Sequence, residues 1–354
     1  MTGDTIRDGD VIVRRLGALR RLTLNRPQTI NALTLGMAET MTAYLGQWAG
    51  DPAVGAVLID GAGERGLCAG GDLRTLYDAK KSPSAFPAHY WATEYQLDVL
   101  IARYPKPVIA LMTGLVMGGG VGISAHASHR VVTDRSSVAM PECVIGLVPD
   151  VGASFILARA PGATGIHLAL TGARMAAADA MYCQFADIHI ATARIADIPE
   201  ALAGCFDASG VAARLGDLST PPAPGRLATA RSWIDACYRS GTVEDVVACL
   251  HQTDHEDARA AYEAIRKGSP TSLKVTLRNV REAASFGRVE QSFRQDYRIV
   301  LACHAGHDFI EGIRAAIIDK DRDPKWSPAR LEDVTPEIVE RHFKSAGDLE
   351  LQLP

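Results

Sequence analysis

Short apolar runs alternate with segments of helical periodicity over the first half of the chain. Residues 56–59 and 107–111 are apolar runs of strand length, and a glycine-rich turn with a helical pattern follows each. After Thr34, which can cap a helix, apolar residues recur at three- and four-residue spacing up to residue 48. Strands that alternate with helices predict an α/β domain with a largely parallel sheet.

The pattern changes near residue 190, where alanine-rich helical segments replace the alternation. Residues 219–225 are rich in proline and form a predicted loop. The sequence therefore predicts two parts, a core over residues 1–200 that carries the site and a helical C-terminal region over residues 201–354. Helices are expected in the second part near residues 227–240, 243–250, 254–267, 272–284 and 288–304.

Composition and charge exclude several classes of protein. Hydrophobic residues make up 47% of the 354 residues, enough for a large core, and the net charge is only −4. Because no basic block stands out, nucleic-acid and membrane-surface binding are not expected. The seven scattered cysteines lack a CxxC pair, which predicts reduced thiols. With no signal-like N-terminus and no apolar run of membrane-spanning length, a cytoplasmic location is expected.

Two glycine-rich turns connect a predicted strand to a predicted helix, at residues 68–72 and 118–122. The first N–H groups of a helix lack partners and favour negative charge. Each turn alone could be an ordinary tight turn, with Asp72 as a helix cap in the first. Neither is a dinucleotide or phosphate loop, because Ile123 replaces the last glycine of GxGxxG and no Gly-Lys-Ser/Thr follows. Two such turns together could direct two N–H groups, one of them from Gly71, at one oxygen.

Glu142 and Asp150 are the candidate acids, because residues 138–148 around them are otherwise apolar. A lone glutamate in a loop is usually a solvated surface group. A buried, unpaired carboxylate is costly, so its presence here indicates a chemical task. Glu94 lies on a predicted helix and by itself indicates only a solvated side chain.

Other constellations do not favour a metal or a different nucleophile. Cys303, His304 and His307 are of metal-ligating types but lie on a helical pattern without a partner cluster. Cys68 has no histidine near it in sequence to activate the thiol. No metal or redox cofactor is expected.

Several motifs together resemble the crotonase (enoyl-CoA hydratase/isomerase) superfamily over nearly the whole chain. General matches to the superfamily lie at residues 24–27, 31–33, 68–72, 114–122 and 169–172. Matches to its hydrolase branch lie at residues 117–122, 139–142, 145–150, 269–274 and 307–315.

The resemblance implies a spiral of ββα units followed by a helical C-terminal region. An acyl-CoA thioester would bind with its carbonyl oxygen between the N–H groups of Gly71 and Gly119. Glu142 falls on the catalytic carboxylate, Asp150 on a second acid and Glu94 on a substrate-contacting glutamate. The CoA nucleotide would lie near residues 26–33 and the loop that ends at residue 70. CoA is then part of the substrate, and a homo-oligomer is compatible with the family.

One departure from the wider superfamily concerns the reaction. Hydratases of the superfamily place two glutamates against the enoyl group, one at position 142 and one at position 122, which here is Gly122. A missing acid–base partner costs about 10²–10⁴-fold in rate. The expected activity is hydrolysis of an acyl-CoA thioester, with 3-hydroxyisobutyryl-CoA as the implied substrate. The alternatives are an enoyl-CoA hydratase or isomerase and a non-catalytic acyl-CoA-binding protein.

Overall fold

A seven-stranded sheet forms the base of the fold in the computed structural model, which describes residues 4–80, 85–239 and 241–353. Its order is β1-β2-β3-β4-β6-β8-β10. The first three strands pair antiparallel, and every pairing from β3 to β10 is parallel. The strands are β1 (Thr5–Asp8), β2 (Val11–Leu16), β3 (Leu19–Leu24), β4 (Ala56–Gly61), β5 (Gly66–Cys68), β6 (Val108–Met112), β7 (Leu115–Met117), β8 (His129–Val132), β9 (Ser137–Ala139) and β10 (Ile188–His189).

Helices connect the strands of the core and then make up the rest of the chain. Those of the first part are α1 (Leu35–Ala49), α2 (Leu73–Ala79), α3 (Phe86–Ala102), α4 (Gly119–Ala125), α5 (Ala153–Leu157), α6 (Thr164–Thr171), α7 (Ala177–Tyr182) and α8 (Ile198–Leu202). Those of the second are α9 (Ala208–Leu218), α10 (Leu227–Tyr238), α11 (Val243–Gln252), α12 (Glu256–Ile265), α13 (Pro270–Ala283), α14 (Val289–Ala305), α15 (Asp308–Ile313) and α16 (Pro336–Arg341).

A second, three-stranded parallel sheet of order β5-β7-β9 gives the core its spiral form. Each of its strands follows a longer strand of the first sheet, so that β4-β5, β6-β7 and β8-β9 are successive pairs, each followed by helical structure. The predicted α/β spiral of ββα units is confirmed. The three short strands themselves were not predicted, because three residues are too few for a periodic pattern.

Local sequence signals account for the elements that were predicted. Gly17, with φ +60°, makes the turn between β2 and β3. The Thr34 hydroxyl accepts a hydrogen bond from the Met37 N–H and caps α1, as expected. Buried residues of α1 from Met37 to Trp48 form the predicted apolar stripe.

The helical C-terminal region packs onto the core rather than standing apart from it. One cluster of buried side chains contains Leu67 and Val121 from the core together with Leu273, Phe293 and Phe309 from α13, α14 and α15. The helices fall close to the five predicted ranges. The division at residue 200 stays a prediction. Within the described ranges, no helix is both long and apolar enough to cross a membrane.

The expectation that all thiols are reduced is wrong for one pair. Cys237 of α10 and Cys249 of α11 form a disulfide, while five other cysteines are free and buried. A helical hairpin brings the two residues together with a Cα–Cα distance of 5.2 Å. A separation of 12 residues along the chain carries no pairing signal in the sequence.

Candidate active site

The two glycine turns lie side by side because the strands that precede them are neighbours. β5 leads through Gly70, with φ +112°, to Gly71, and β7 leads through Gly118, with φ +48°, to Gly119. β5 and β7 pair in parallel, so both turns leave the same edge of the small sheet. A Cβ atom built on Gly119 would lie 3.5 Å from the Gly71 nitrogen. The backbones therefore approach closely, as the pair of motifs predicted.

Both turns present free N–H groups. In the described part of the chain, no atom accepts a hydrogen bond from the N–H of Gly71 or of Gly119. Gly119 is the first residue of α4, where an unpartnered N–H adds to the positive end of the helix dipole. Two such donors side by side can stabilise one oxyanion.

Side-chain neighbours explain why both positions are glycine. A Cβ at Gly71 would lie 2.7 Å from the Tyr90 hydroxyl oxygen. A Cβ at Gly119 would overlap the Oε1 atom of Glu94. The Tyr90 hydroxyl donates to the Leu33 carbonyl at 2.8 Å, which fixes it behind the first turn.

The two predicted acids follow β9. Glu142 begins a short 3-10 helix, Glu142–Ile145, and is 6% exposed, while Asp150 is 5% exposed. The Oε2 atom of Glu142 has no hydrogen-bond partner among the described residues. Asp150 accepts a hydrogen bond of 2.6 Å from the Tyr95 hydroxyl of α3. The loop therefore carries one acid, Asp150, that a hydrogen bond fixes, and another, Glu142, with an unpaired carboxyl oxygen among the described residues.

All five predicted site residues line one cavity of about 170 Å³. These residues are Gly71, Glu94, Gly119, Glu142 and Asp150. Apolar side chains form much of the remaining wall, among them Leu73, Leu76, Trp91, Met117 and Leu147. The volume suits a short acyl group. No cationic side chain occurs among the described residues that line it.

Burial raises the pKa of every acid in this wall. Desolvation, and then the charge of Asp150, hold the pKa values of Glu142 and Glu94 well above their ordinary range. Burial raises the pKa of Asp150 to about 6, although the Tyr95 hydroxyl opposes that change. Several like charges cannot all form in one dry cavity, so burial favours the protonated forms of these acids.

Glu94 is not the solvated side chain that its predicted helix alone indicated. It is 3% exposed on α3, whose buried residues include Tyr90, Trp91, Tyr95 and Leu97. That interpretation was wrong because α3 is covered on nearly all sides by other elements. Only the resemblance placed Glu94 at the substrate.

Asp98 is a buried acid that the sequence interpretation missed. It lies one helical turn after Glu94 on α3, is fully buried, and neither of its carboxyl oxygens has a hydrogen-bond partner within the described chain. A Cβ atom built on Gly122 would lie 2.5 Å from its Oδ2. The i, i+4 spacing of two acids among apolar residues was the available signal.

The cysteine and histidines considered above have other contacts. The Cys68 thiol donates to the Gly70 carbonyl, and burial raises its pKa to about 12, so the thiolate does not form near neutral pH. His304 contacts the Leu76 carbonyl at 3.2 Å through Nε2, and His307 contacts Asp308 at 3.1 Å.

Known proteins are similar to this chain over nearly its whole length. The 3-hydroxyisobutyryl-CoA hydrolase, mitochondrial, of Homo sapiens is 38% identical over 350 residues, which are 97% of this chain and 90% of that protein. A solved structure titled carnitinyl-CoA dehydratase, from Mycobacterium thermoresistibile, is 46% identical with a TM-score of 0.92, covering 98% and 99% of the two chains. One titled enoyl-CoA hydratase, from Rhodobacter sphaeroides, is 41% identical with a TM-score of 0.90, covering 98% and 100%.

The match to a family extends through both the core and the helical region. Residues 19–343 match the family described as enoyl-CoA hydratase/isomerase. This range contains both glycine turns, the loop of residues 140–150 that carries Glu142 and Asp150, and the helices α9–α16 that pack onto the core. The chain therefore belongs to the enoyl-CoA hydratase/isomerase family.

Proposed function

We propose that the protein hydrolyses the thioester of 3-hydroxyisobutyryl-CoA to 3-hydroxyisobutyrate and CoA. The cavity supports this reaction because it combines two free backbone donors, a free buried acid and room for a short acyl group. Relatives named for this hydrolysis match nearly the whole chain. Such a step belongs in valine breakdown.

The glycine turns would act on the thioester carbonyl. Its oxygen would lie between the N–H groups of Gly71 and Gly119, which would polarise the carbonyl and stabilise the negative charge of the tetrahedral state. Each donor of this kind is worth on the order of 10²–10³ in rate.

Glu142 would open the reaction from the facing wall. As a nucleophile it would attack the carbonyl carbon, expel the CoA thiolate and leave a mixed anhydride that water cleaves. As a general base it would take a proton from water, which then attacks directly. Either role requires an ionised Glu142, so turnover should rise with pH through a pKa above the ordinary glutamate range.

Asp150 and Glu94 would orient the substrate. The Tyr95 hydroxyl fixes the Asp150 carboxyl, so that its remaining oxygen can accept a hydrogen bond from the 3-hydroxyl or from water. Glu94 lies against Gly119, close to the carbonyl position. CoA is part of the substrate, and no metal or redox group is required for this hydrolysis, so chelators should leave turnover unchanged.

The observation that carries the proposal is the space beside Gly122. Hydration needs a second acid directed at the enoyl group, which the family places at position 122. Here Asp98 fills the space where a side chain at 122 would begin, yet its oxygens are buried away from the cavity. Position 122 therefore supplies no second acid to the cavity.

Hydration or dehydration of an enoyl-CoA is the second candidate. Two similar proteins of known structure, named as a carnitinyl-CoA dehydratase and an enoyl-CoA hydratase at 46% and 41% identity, favour it. A non-catalytic acyl-CoA-binding protein is the third, although binding alone needs neither Glu142 nor Asp150.

One pair of incubations distinguishes the three candidates. The protein is given 3-hydroxyisobutyryl-CoA and, separately, crotonyl-CoA, and both free thiol and enoyl absorbance are followed. We expect thiol release from the first substrate to exceed hydration of the second by orders of magnitude. Comparable hydration would refute the hydrolase proposal, and binding without either reaction would favour the third candidate.

The location and the assembly state remain part of the proposal. A cytoplasmic protein is expected, whereas the similar vertebrate hydrolases are named mitochondrial. Fractionation of the source cells tests the location. Light scattering tests whether the chain forms the homo-oligomer that the family allows.

A further inference from the structure

The cavity that holds the two glycine turns and the acids has an exposed side and a buried side. Val144 of its wall is 37% exposed, and the neighbouring Ile145 is half-buried. Leu76, Trp91 and Leu147 are only 1%, 2% and 4% exposed. The cavity therefore opens to solvent near Val144 and ends among the three buried side chains.

A thioester has to extend in both directions from its carbonyl group. The cavity has a volume of about 170 Å³, below the roughly 300–1,000 Å³ of sites that enclose a drug-sized ligand. CoA is larger than such a ligand, so it has to leave through the exposed side. The acyl group then extends toward the buried side, where Glu94 and Asp150 also lie.

Trp91 of α3 is the largest side chain on the buried side of the cavity. Its ring lies edge-on to the ring of His304, with the two centroids 5.8 Å apart, and its centroid is 6.0 Å from that of Phe309. His304 belongs to α14 and Phe309 to α15, so two helices of the C-terminal region support the indole. Because protein interiors are closely packed, the indole cannot swing away without displacing these rings.

Leu76 of α2 lies beside the same histidine. Its carbonyl oxygen is 3.2 Å from the Nε2 atom of His304. Lys80, which follows α2, donates to the carbonyl oxygens of His304 and Ala305 at 3.0 and 2.9 Å. The end of α14 therefore holds both Leu76 and Trp91, and we call this pair the end wall of the cavity.

We propose, on the basis of the hydrolysis proposed above, that Trp91 sets the longest acyl chain that the protein accepts. The four-carbon acyl group of 3-hydroxyisobutyryl-CoA would end at the indole, with Leu76 beside it. A longer chain would have to displace the indole and the rings behind it. Trp91 is then a residue that determines specificity, and the C-terminal helices that support it decide which thioesters are substrates.

Two thioesters that differ only in chain length measure this limit. The wild type should hydrolyse 3-hydroxybutyryl-CoA with a kcat/KM at least about 10²-fold above that for 3-hydroxyhexanoyl-CoA, because one methylene group changes discrimination in an apolar pocket by about 10–200-fold. Trp91→Leu removes much of the indole and should reduce this preference by about 10-fold or more. An unchanged preference in the folded variant would overturn the proposal.

Two further variants separate the end wall from general loosening of the core. Trp48→Leu makes the same change at another buried tryptophan, on α1, which does not line the cavity in the described part of the chain. It should leave the preference unchanged, and an equal loss in both tryptophan variants would refute the role of Trp91. Leu76→Ala should relax the preference in the same direction as Trp91→Leu. If Trp91→Leu does not fold, Leu76→Ala decides, and an unchanged preference there refutes the end wall.

A second readout does not depend on hydrolysis. The thioethers S-butyl-CoA and S-hexyl-CoA cannot be hydrolysed, and calorimetry measures how tightly each binds. The wild type should bind the butyl compound about 10-fold more tightly or better, and Trp91→Leu should lose this difference. If no thioester is hydrolysed, the function proposed above is wrong, yet these affinities still decide whether Trp91 limits the chain. Equal affinity of the wild type for both thioethers would overturn the limit.

Discussion

The two glycine turns and the acid loop of residues 140–150 form facing walls of one cavity, but they are held in place differently. The turns are held by backbone contacts within the core, where Leu33 donates to the Gly70 carbonyl at 2.8 Å and Ala69 donates to the Ile30 carbonyl at 3.0 Å. Their strands, β5 and β7, are direct neighbours. The positions of the two proposed N–H donors are therefore a product of core topology.

The acid loop depends on side chains from the distant helical region. Ser269, which caps α13, donates its N–H to the Cys143 carbonyl at 2.9 Å, directly after Glu142. The Asp296 carboxyl of α14 accepts from the Gly152 N–H at 3.0 Å and from the Ser154 hydroxyl. Gly152 and Asp296 are 144 positions apart in sequence. The helical region therefore helps to position the acid loop. Substitutions in the helical region should disturb the acids, whereas the glycine turns should depend on substitutions within the core.

The largest expected effect is on the acid wall itself. Glu142→Gln keeps the size of the side chain but cannot serve as a base and is a far poorer nucleophile. Turnover should fall by about 10²–10⁴-fold while acyl-CoA still binds, because the opposite wall is intact. Thiol release measured beside calorimetric binding checks this, and turnover near that of the wild type would refute the mechanism. Asp150→Asn should impair turnover too, less than additively with Glu142→Gln.

The next largest effect is expected at the glycine turns, which supply the proposed N–H donors. Gly119→Pro removes the proposed N–H at the first position of α4, where proline suits the backbone. Gly119→Ala adds a comparable Cβ against Glu94 but keeps the N–H. The proline variant should be slower than the alanine variant by about 10²–10³-fold. Circular dichroism must show both folded, and equal turnover would exclude Gly119 as a donor.

A smaller effect is expected when the hydrogen bonds that α14 makes to the segment just after Asp150 are removed. Asp296→Ala leaves the Gly152 N–H, the Ser154 hydroxyl and the Asn279 amide without an acceptor. Each buried group left unpaired costs about 1–3 kcal/mol, so the free energy of unfolding should fall by about 3 kcal/mol or more. Turnover should fall with it, since Asp150 lies two residues from Gly152. Chemical denaturation measures the stability, and parallel thiol assays measure the turnover. A variant that is less stable but turns over at the wild-type rate would show that Asp296 does not position the acids.

The same aspartate should make stability depend on pH. Burial raises the pKa of Asp296 to about 7, above the unfolded value of about 3.9. Its contribution to stability is therefore complete below about pH 4 and is lost as pH rises through about 7. Asp296→Asn should flatten the unfolding free energy over this range. A slope equal to that of the wild type would exclude Asp296 as a titrating group.

The smallest effect concerns α11, which among the described residues makes no hydrogen bond to the loop of residues 140–150. The Thr242 hydroxyl accepts from the Asp245 N–H at 3.1 Å and caps α11. Thr242→Ala should cost about 1 kcal/mol of stability and leave thiol release unchanged. A loss of turnover in this variant would mean that the whole helical region, rather than α13 and α14, positions the acids.

The difference between the two walls also explains what the sequence could predict. The glycine turns, the cap at Thr34 and the C-terminal helices rest on neighbours in sequence, and the residue pattern predicted them. The burial of Glu94, the isolation of Asp98 and the pairing of Cys237 with Cys249 depend on elements far along the chain. The burial of Glu142 and Asp150 was predicted because their own neighbours are apolar, whereas nothing in the local sequence links Asp150 to α14.

The absence of a cation among the described residues of the cavity wall has a consequence for the end of the reaction. A thioester enters with an uncharged acyl group, and hydrolysis converts that group into a carboxylate inside a wall of acids. At separations of a few ångströms in a poorly hydrated cavity, like charges repel strongly. Once water has cleaved the bond, the ionised Glu142 carboxylate should repel the carboxylate product, and this repulsion makes its departure fast and its return unfavourable.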